Sequence, residues 1–135
     1  MKTAQFIMGG SVLVLAVLLL TTTNRQAIAT YNIAFEVGVR GVIQDVQEFR
    51  CPVCRDDGAH LKLSTQQGET ILVHVAPSRY VHGNNIGFAV GESVEVVGVV
   101  VNNVGYPTMV ARKISRGGET FVFRTTAGEP LWSEQ

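Results

Sequence analysis

The stretch His60-Leu61-Lys62-Leu63-Ser64-Thr65-Gln66-Gln67-Gly68-Glu69-Thr70-Ile71-Leu72-Val73-His74-Val75 decides the fold. Two runs rich in β-branched and apolar residues flank a short Gly-containing loop, the pattern of a β-hairpin. With Gln66-Gln67-Gly68 as the loop, Thr65 opposes Glu69, and Leu63 and Leu61 oppose Ile71 and Val73 on one apolar face. The same register sets His60 against His74 on the other face. A two-residue loop, Gln67-Gly68, would put Leu61 opposite His74 and mix the faces, so the apolar pattern selects the first register.

Outward from the hairpin, no segment carries a sustained 3.6-residue apolar period, and Val, Ile, Thr and Phe are dense between Gly and Asn breaks. That is the composition of an all-β domain. A first strand is expected over residues 35–49, with Gly38 and Gly41 allowing it to bend. The hairpin strands cover 60–65 and 69–75, and further strands are expected over 93–101, 108–115 and 119–124. Residues 78–91 hold Gly83, Gly87, Gly91 and Asn84-Asn85, which limits any helix there to a turn or two. A long first strand, a tight hairpin, a crossing segment and a second hairpin give the order of a five- to six-stranded Greek-key barrel, the OB-fold. An immunoglobulin-like sandwich would need about seven strands and well-separated cysteines.

The N-terminus is a different kind of polymer. Lys2 precedes an uncharged run from Phe6 to Leu20, and Ala27-Ile28-Ala29 follows a short polar stretch. A positive start, an apolar core and a small-x-small site predict a signal peptide over residues 1–29, with an uncleaved anchor as the alternative. The whole chain has 11 basic and 11 acidic residues among 135. The leader takes Lys2 and Arg25 with it, so the remaining 106 residues carry nine basic against eleven acidic side chains. Export to the periplasm and a slightly acidic domain both argue against a nucleic-acid binder. Lys62, Arg112 and Lys113 with Tyr106 or Phe88 would be the groove of such a binder. Solvated strand faces are the simpler expectation for those basic residues.

The runs Val39-Arg40-Gly41-Val42-Ile43, Ile71-Leu72-Val73-His74-Val75, Ser78-Arg79-Tyr80 and Gly91-Glu92-Ser93-Val94-Glu95-Val96-Val97-Gly98-Val99 resemble the bacterial periplasmic OB-fold (BOF-type) family over about residues 35–115. The resemblance implies a small exported single-domain module that binds a small ligand or ion and is not an enzyme. The chain departs from that family by inserting Cys51-Pro52-Val53-Cys54 between the first two strands and by its C-terminal extension.

The two cysteines admit several chemistries. Arg55 follows the second one, which excludes a c-type haem attachment. Arg55-Asp56-Asp57-Gly58 is a poor helix start, which weakens a thioredoxin-like dithiol. A static disulfide suits an exported domain. A metal site is the sharper alternative: Cys51 and Cys54 on one turn, with His60 six residues on and His74 across the hairpin, form a tetrahedral donor set suited to zinc or copper. His82 is a weaker addition. Lys62, Arg79 and Tyr80 are candidates for holding an acidic or sugar-like ligand. For Arg79-Tyr80 the competing expectation is that the tyrosine closes one end of the barrel. No catalytic triad, paired-carboxylate motif or phosphate-cradling loop is present, so thiol–disulfide exchange is the one enzymatic activity the residues would support.

In the C-terminal extension, alternation puts Phe121 and Phe123 on one face of a sixth strand, with Leu131 and Trp132 covering apolar surface. A tail that docks a protein partner is the alternative.

Overall fold

The computed structural model describes residues 31–50, 57–103 and 106–132, with main chain alone at 102, 103 and 106. The expected signal peptide, residues 1–29, and the Cys51–Cys54 motif lie outside the described residues. A 3-10 helix, Ile33–Phe35, leads into six strands: β1 (Val37–Arg50), β2 (Asp57–Thr65), β3 (Thr70–Pro77), β4 (Ser93–Asn103), β5 (Tyr106–Arg116) and β6 (Glu119–Val122). One short helix, α1 (Ser78–Gly83), connects β3 to β4. Among the described residues no helix is long and apolar enough to cross a membrane.

The strands form one sheet in the order β3-β2-β1-β4-β5-β6, and an additional parallel pairing of β3 with β5 closes it into an OB-like barrel. Strand β1 makes this possible because it serves two neighbours in succession. Its first half, Val37 to Val42, pairs with β4, and its second half, from Gly41 onward, pairs with β2. At the changeover a Cβ on Gly41 would lie 2.4 Å from the Ser64 carbonyl oxygen, so the bare backbone is a steric requirement. Gly38, by contrast, has nothing within 4 Å of that position. Of the two glycines, Gly41 is the one that a close backbone approach requires.

The hairpin register is the one the apolar pattern selects, with Leu63 on Ile71, Leu61 on Val73 and His60 on His74. Three bulges adjust the ladders. Gln44 is the extra residue on β1, Val75 on β3 opposite Ala59 and His60, and Arg112 on β5 opposite Val97 and Gly98. Inside the barrel Ile43, Leu61, Leu63, Val73, Met109 and Ile114 are at most 1% exposed.

The C-terminal extension belongs to this core. Phe123, just past β6, is fully buried, and its amide donates to the carbonyl of the bulge residue Arg112 at 2.8 Å. Trp132 packs against the core, whereas Leu131 stays 42% exposed and does not serve as cover. A Phe123→Ala variant is expected to lose about 3–5 kcal/mol. Chemical denaturation would show this as a lowered midpoint at unchanged slope, and an unaltered midpoint would mean that the extension packs without stabilising the barrel.

Arg112 corrects the expectation of a solvated basic strand face. Its guanidinium donates from Nε and Nη2 to the two carboxylate oxygens of Glu36 at 2.8 and 2.7 Å, with both side chains nearly buried. The pair holds the Glu36 carboxyl below the usual carboxylate range and raises Arg112. Tyr31 donates to the same carboxylate at 2.8 Å, and its ring lies under the Arg124 guanidinium, which also stands over Trp132.

Candidate functional site

The site is built where β1, β2 and β3 run out together. Strand β1 ends with Phe49 opposite Gly58 and Arg50 opposite Asp57, so both anchors of the six-residue segment 51–56 sit at the end of this ladder. Three residues into β2 comes His60, and its cross-strand partner on β3 is His74. The Val75 bulge lies beside this pair, where an extra residue re-aims its neighbours.

Both imidazoles are buried, at 1% and 5% exposure, although paired histidines at a strand end are ordinarily surface groups. The Phe49 ring stacks on His60 with centroids 3.9 Å apart and planes 10° from parallel. Gly58 completes the cradle: a Cβ there would stand 3.1 Å from Cε1 of each histidine. Neither Phe49 nor Gly58 is marked as a site residue by the sequence alone. The signal for Phe49 is the β1–β2 register, which the Gln44 bulge shifts by one and so hides from pattern counting.

The hydrogen bonds fix the proton positions. His60 Nδ1 lies 2.9 Å from the Gly58 carbonyl oxygen, an acceptor, so this nitrogen carries the hydrogen. In the neutral ring Nε2 then bears a lone pair and accepts from His74 Nδ1 at 3.2 Å. Burial makes the neutral forms the stable ones. It depresses His60, against which the Gly58 carbonyl works in the opposite direction. It brings His74 down to about 4, with further contributions from the positive fields of His60 and Arg124.

The other candidates are distributed elsewhere. Lys62 lies on the same face of β2 as His60, two residues along, but is exposed. Arg79 is exposed on α1. Tyr80 sits in an aromatic cluster, 6.5 Å from Phe123 and 5.8 Å from Trp132 between centroids. His82, in the last turn of α1, reaches Glu48 Oε1 at 2.5 Å on the surface. Of the residues that would make a nucleic-acid groove, Arg112 is committed to Glu36, and Phe88 packs edge-on against Phe121 beneath Arg116. Among the described residues no three His, Cys, Asp or Glu side chains converge as a metal cluster.

Among solved structures, the chain is similar to the mitochondrial single-stranded DNA binding protein Rim1 of S. cerevisiae, at 14% identity and a TM-score of 0.49, covering 64% of this chain and 96% of that one. A second, selenomethionine-labelled crystal form gives 13% identity and 0.46, with 64% and 94% covered. Neither likeness decides what this chain binds. No curated protein matches it. The model of the MamS/MamX magnetosome protein family matches residues 36–121. These matches give no support to the periplasmic OB-fold family that the strand motifs resemble. The matched segment runs from the residue before β1 through most of β6, well over half of the chain, and the protein therefore belongs to the MamS/MamX magnetosome protein family.

Proposed function

We propose that this protein is an exported, magnetosome-associated OB-like module that holds a transition-metal ion at the β2–β3 face, with His60 and His74 as ligands and Cys51 and Cys54 completing the set. The observation that supports this most is that the buried His60 Nε2 and His74 Nδ1 face each other at 3.2 Å; an ion between them replaces their hydrogen bond, and the His74 hydrogen passes to its Nε2. Two nitrogens bound at about 2.05 Å to one tetrahedral ion stand about 3.3 Å apart. The neighbouring features agree with that reading. Ligating histidines donate their second N–H to a carbonyl or carboxylate, and His60 does so to Gly58. Imidazoles bind metals only when neutral, the form that burial favours here. The Cys-x-x-Cys segment is anchored at Arg50 and Asp57, on the same strand end as the histidines. Zinc and copper are the favoured ions for thiolate and imidazole donors.

Protein expressed with its own leader, recovered as produced and reduced under anaerobic conditions, is expected to take up one equivalent of Zn²⁺ or Cu⁺. The His74→Leu and Cys54→Ser variants should each lose affinity by about 100-fold or more. Metal content by mass spectrometry and a competition titration give the numbers. Absence of metal from the reduced protein, or its retention in both variants, defeats the proposal. A readily reduced disulfide with no metal uptake would assign the cysteines to thiol exchange instead.

A further inference from the structure

One end of the barrel carries almost no charge. Residues 96–111, which cover most of β4 and half of β5, are sixteen in a row without Asp, Glu, Lys or Arg. Residues 31–39, which lead into β1, hold only Glu36, and that carboxylate is nearly buried against Arg112. The two stretches are neighbours. Val37 opposes Gly98 at the end of the β1–β4 ladder, and the 3-10 helix before it packs on β4. A water-facing surface carries about a quarter or more charged residues, so this end is not composed like one.

Four of the nine exposed large apolar side chains among the described residues fall here: Ile33 at 44%, Phe35 at 68%, Val37 at 45% and Val100 at 43%. Strand alternation explains two of them. Val37 shares a face of β1 with Val39, which packs against the core, and Val100 shares a face of β4 with Val96, which is part of it. The apolar lining of the barrel therefore runs on past its end into solvent, and the 3-10 helix adds Ile33 and Phe35 beside it.

We infer that this uncharged face, Ile33, Phe35, Val37 and Val100, lies on a phospholipid bilayer. Its place in the chain selects the occupant. The uncharged run Phe6 to Leu20 ends ten residues before Tyr31, and ten residues reach at most about 36 Å when fully extended. A leader that stays in the membrane therefore keeps residues 33–37 within reach of it. That run is shorter than the roughly 20 apolar residues of a full span. Stable attachment takes two signals, and the apolar face supplies the second. Because the face has no cation, its hold on lipid owes nothing to anionic headgroups and is indifferent to salt. The inference does not depend on the metal site.

Phe35→Trp tests this at a position with no role in the core. The full chain as produced is mixed with phosphatidylcholine vesicles whose acyl chains are brominated. Emission from the introduced indole is expected to shift to the blue and to be quenched about twofold or more beyond that of the parent. The parent's one tryptophan, Trp132, packs against the core and provides the baseline. The quenching should be equal at about 0.1 M and about 0.5 M NaCl, and equal with and without anionic lipid. Adding Val100→Asp should cut it about threefold or more, since a carboxylate on the face must be desolvated. These readings hold whether or not the leader has been removed. Emission that vesicles leave unchanged, quenching no greater than the parent's, loss of quenching in salt, or indifference to Val100→Asp overturns the inference. So does emission that shifts with protein concentration in the absence of vesicles, which gives the face to a second copy.

Discussion

Gly98→Ala is expected to cost about 4 kcal/mol or more, the most damaging single-methyl substitution in this barrel. An added Cβ would stand 2.1 Å from the Val110 carbonyl oxygen, 2.9 Å from its carbonyl carbon and 3.0 Å from the Ala111 Cα. All three contacts are backbone, so no rotamer change relieves them. The β4–β5 ladder itself must move apart at the Arg112 bulge, where Gly98 pairs with Ala111. The damage spreads, because the same bulge residue holds Glu36 and accepts the Phe123 and Arg124 amides. A domain of this size has about 5–15 kcal/mol of stability in total. The variant should therefore melt about 20 °C lower or be recovered unfolded, while Gly118→Ala, with nothing within 4 Å, should melt like the parent. Equal melting of the two would mean that the strands slide to accommodate the methyl.

The glycines show where pattern reading stops. Gly41 and Gly98 look like any other glycine in a strand, and their necessity depends on which backbone approaches them, the Ser64 carbonyl in one case and Val110 in the other. The hairpin was legible because its partners are local and its faces differ: apolar Leu61, Leu63, Ile71 and Val73 admit one register, and that register alone brings His60 to His74. What the sequence does not reveal is that these histidines are buried. Their cover comes from Phe49 on a strand whose register the Gln44 bulge shifts, and from the missing side chain at Gly58. The Glu36–Arg112 pair, 76 residues apart, was hidden for the same reason, since a non-local ion pair leaves no periodic trace. Solvation was the expectation for Arg112 because arginine is rarely buried without a carboxylate partner, and the partner came from before β1.

Acid should unlock the barrel through the histidine pair. In metal-free protein the His74 imidazole is brought down to about 4 from its ordinary 6.5, because burial above all, then charge on His60 when it forms and the Arg124 guanidinium, penalise the charged form. Between those values the unfolded chain binds a proton that the folded one refuses. The stabilisation is therefore complete above pH 6.5 and is lost as pH falls through 6.5 towards 4. A depression of that size corresponds to roughly 3 kcal/mol. His60, shifted in the same direction, adds to it, and the lowered Glu36 carboxyl contributes a further loss at the acid end. Unfolding free energies from denaturant titrations, with a chelator present, should fall by most of that amount between pH 7 and pH 4.5 in the parent. In His74→Leu the decline should shrink to what His60 and Glu36 supply. Bound metal should steepen the parent's decline, since protons then compete for the ligand nitrogens as well. An identical decline in His74→Leu would place the acid sensitivity outside the pair, and the desolvated, neutral imidazoles that make the site a ready-made ligand set would have to be abandoned as its organising feature.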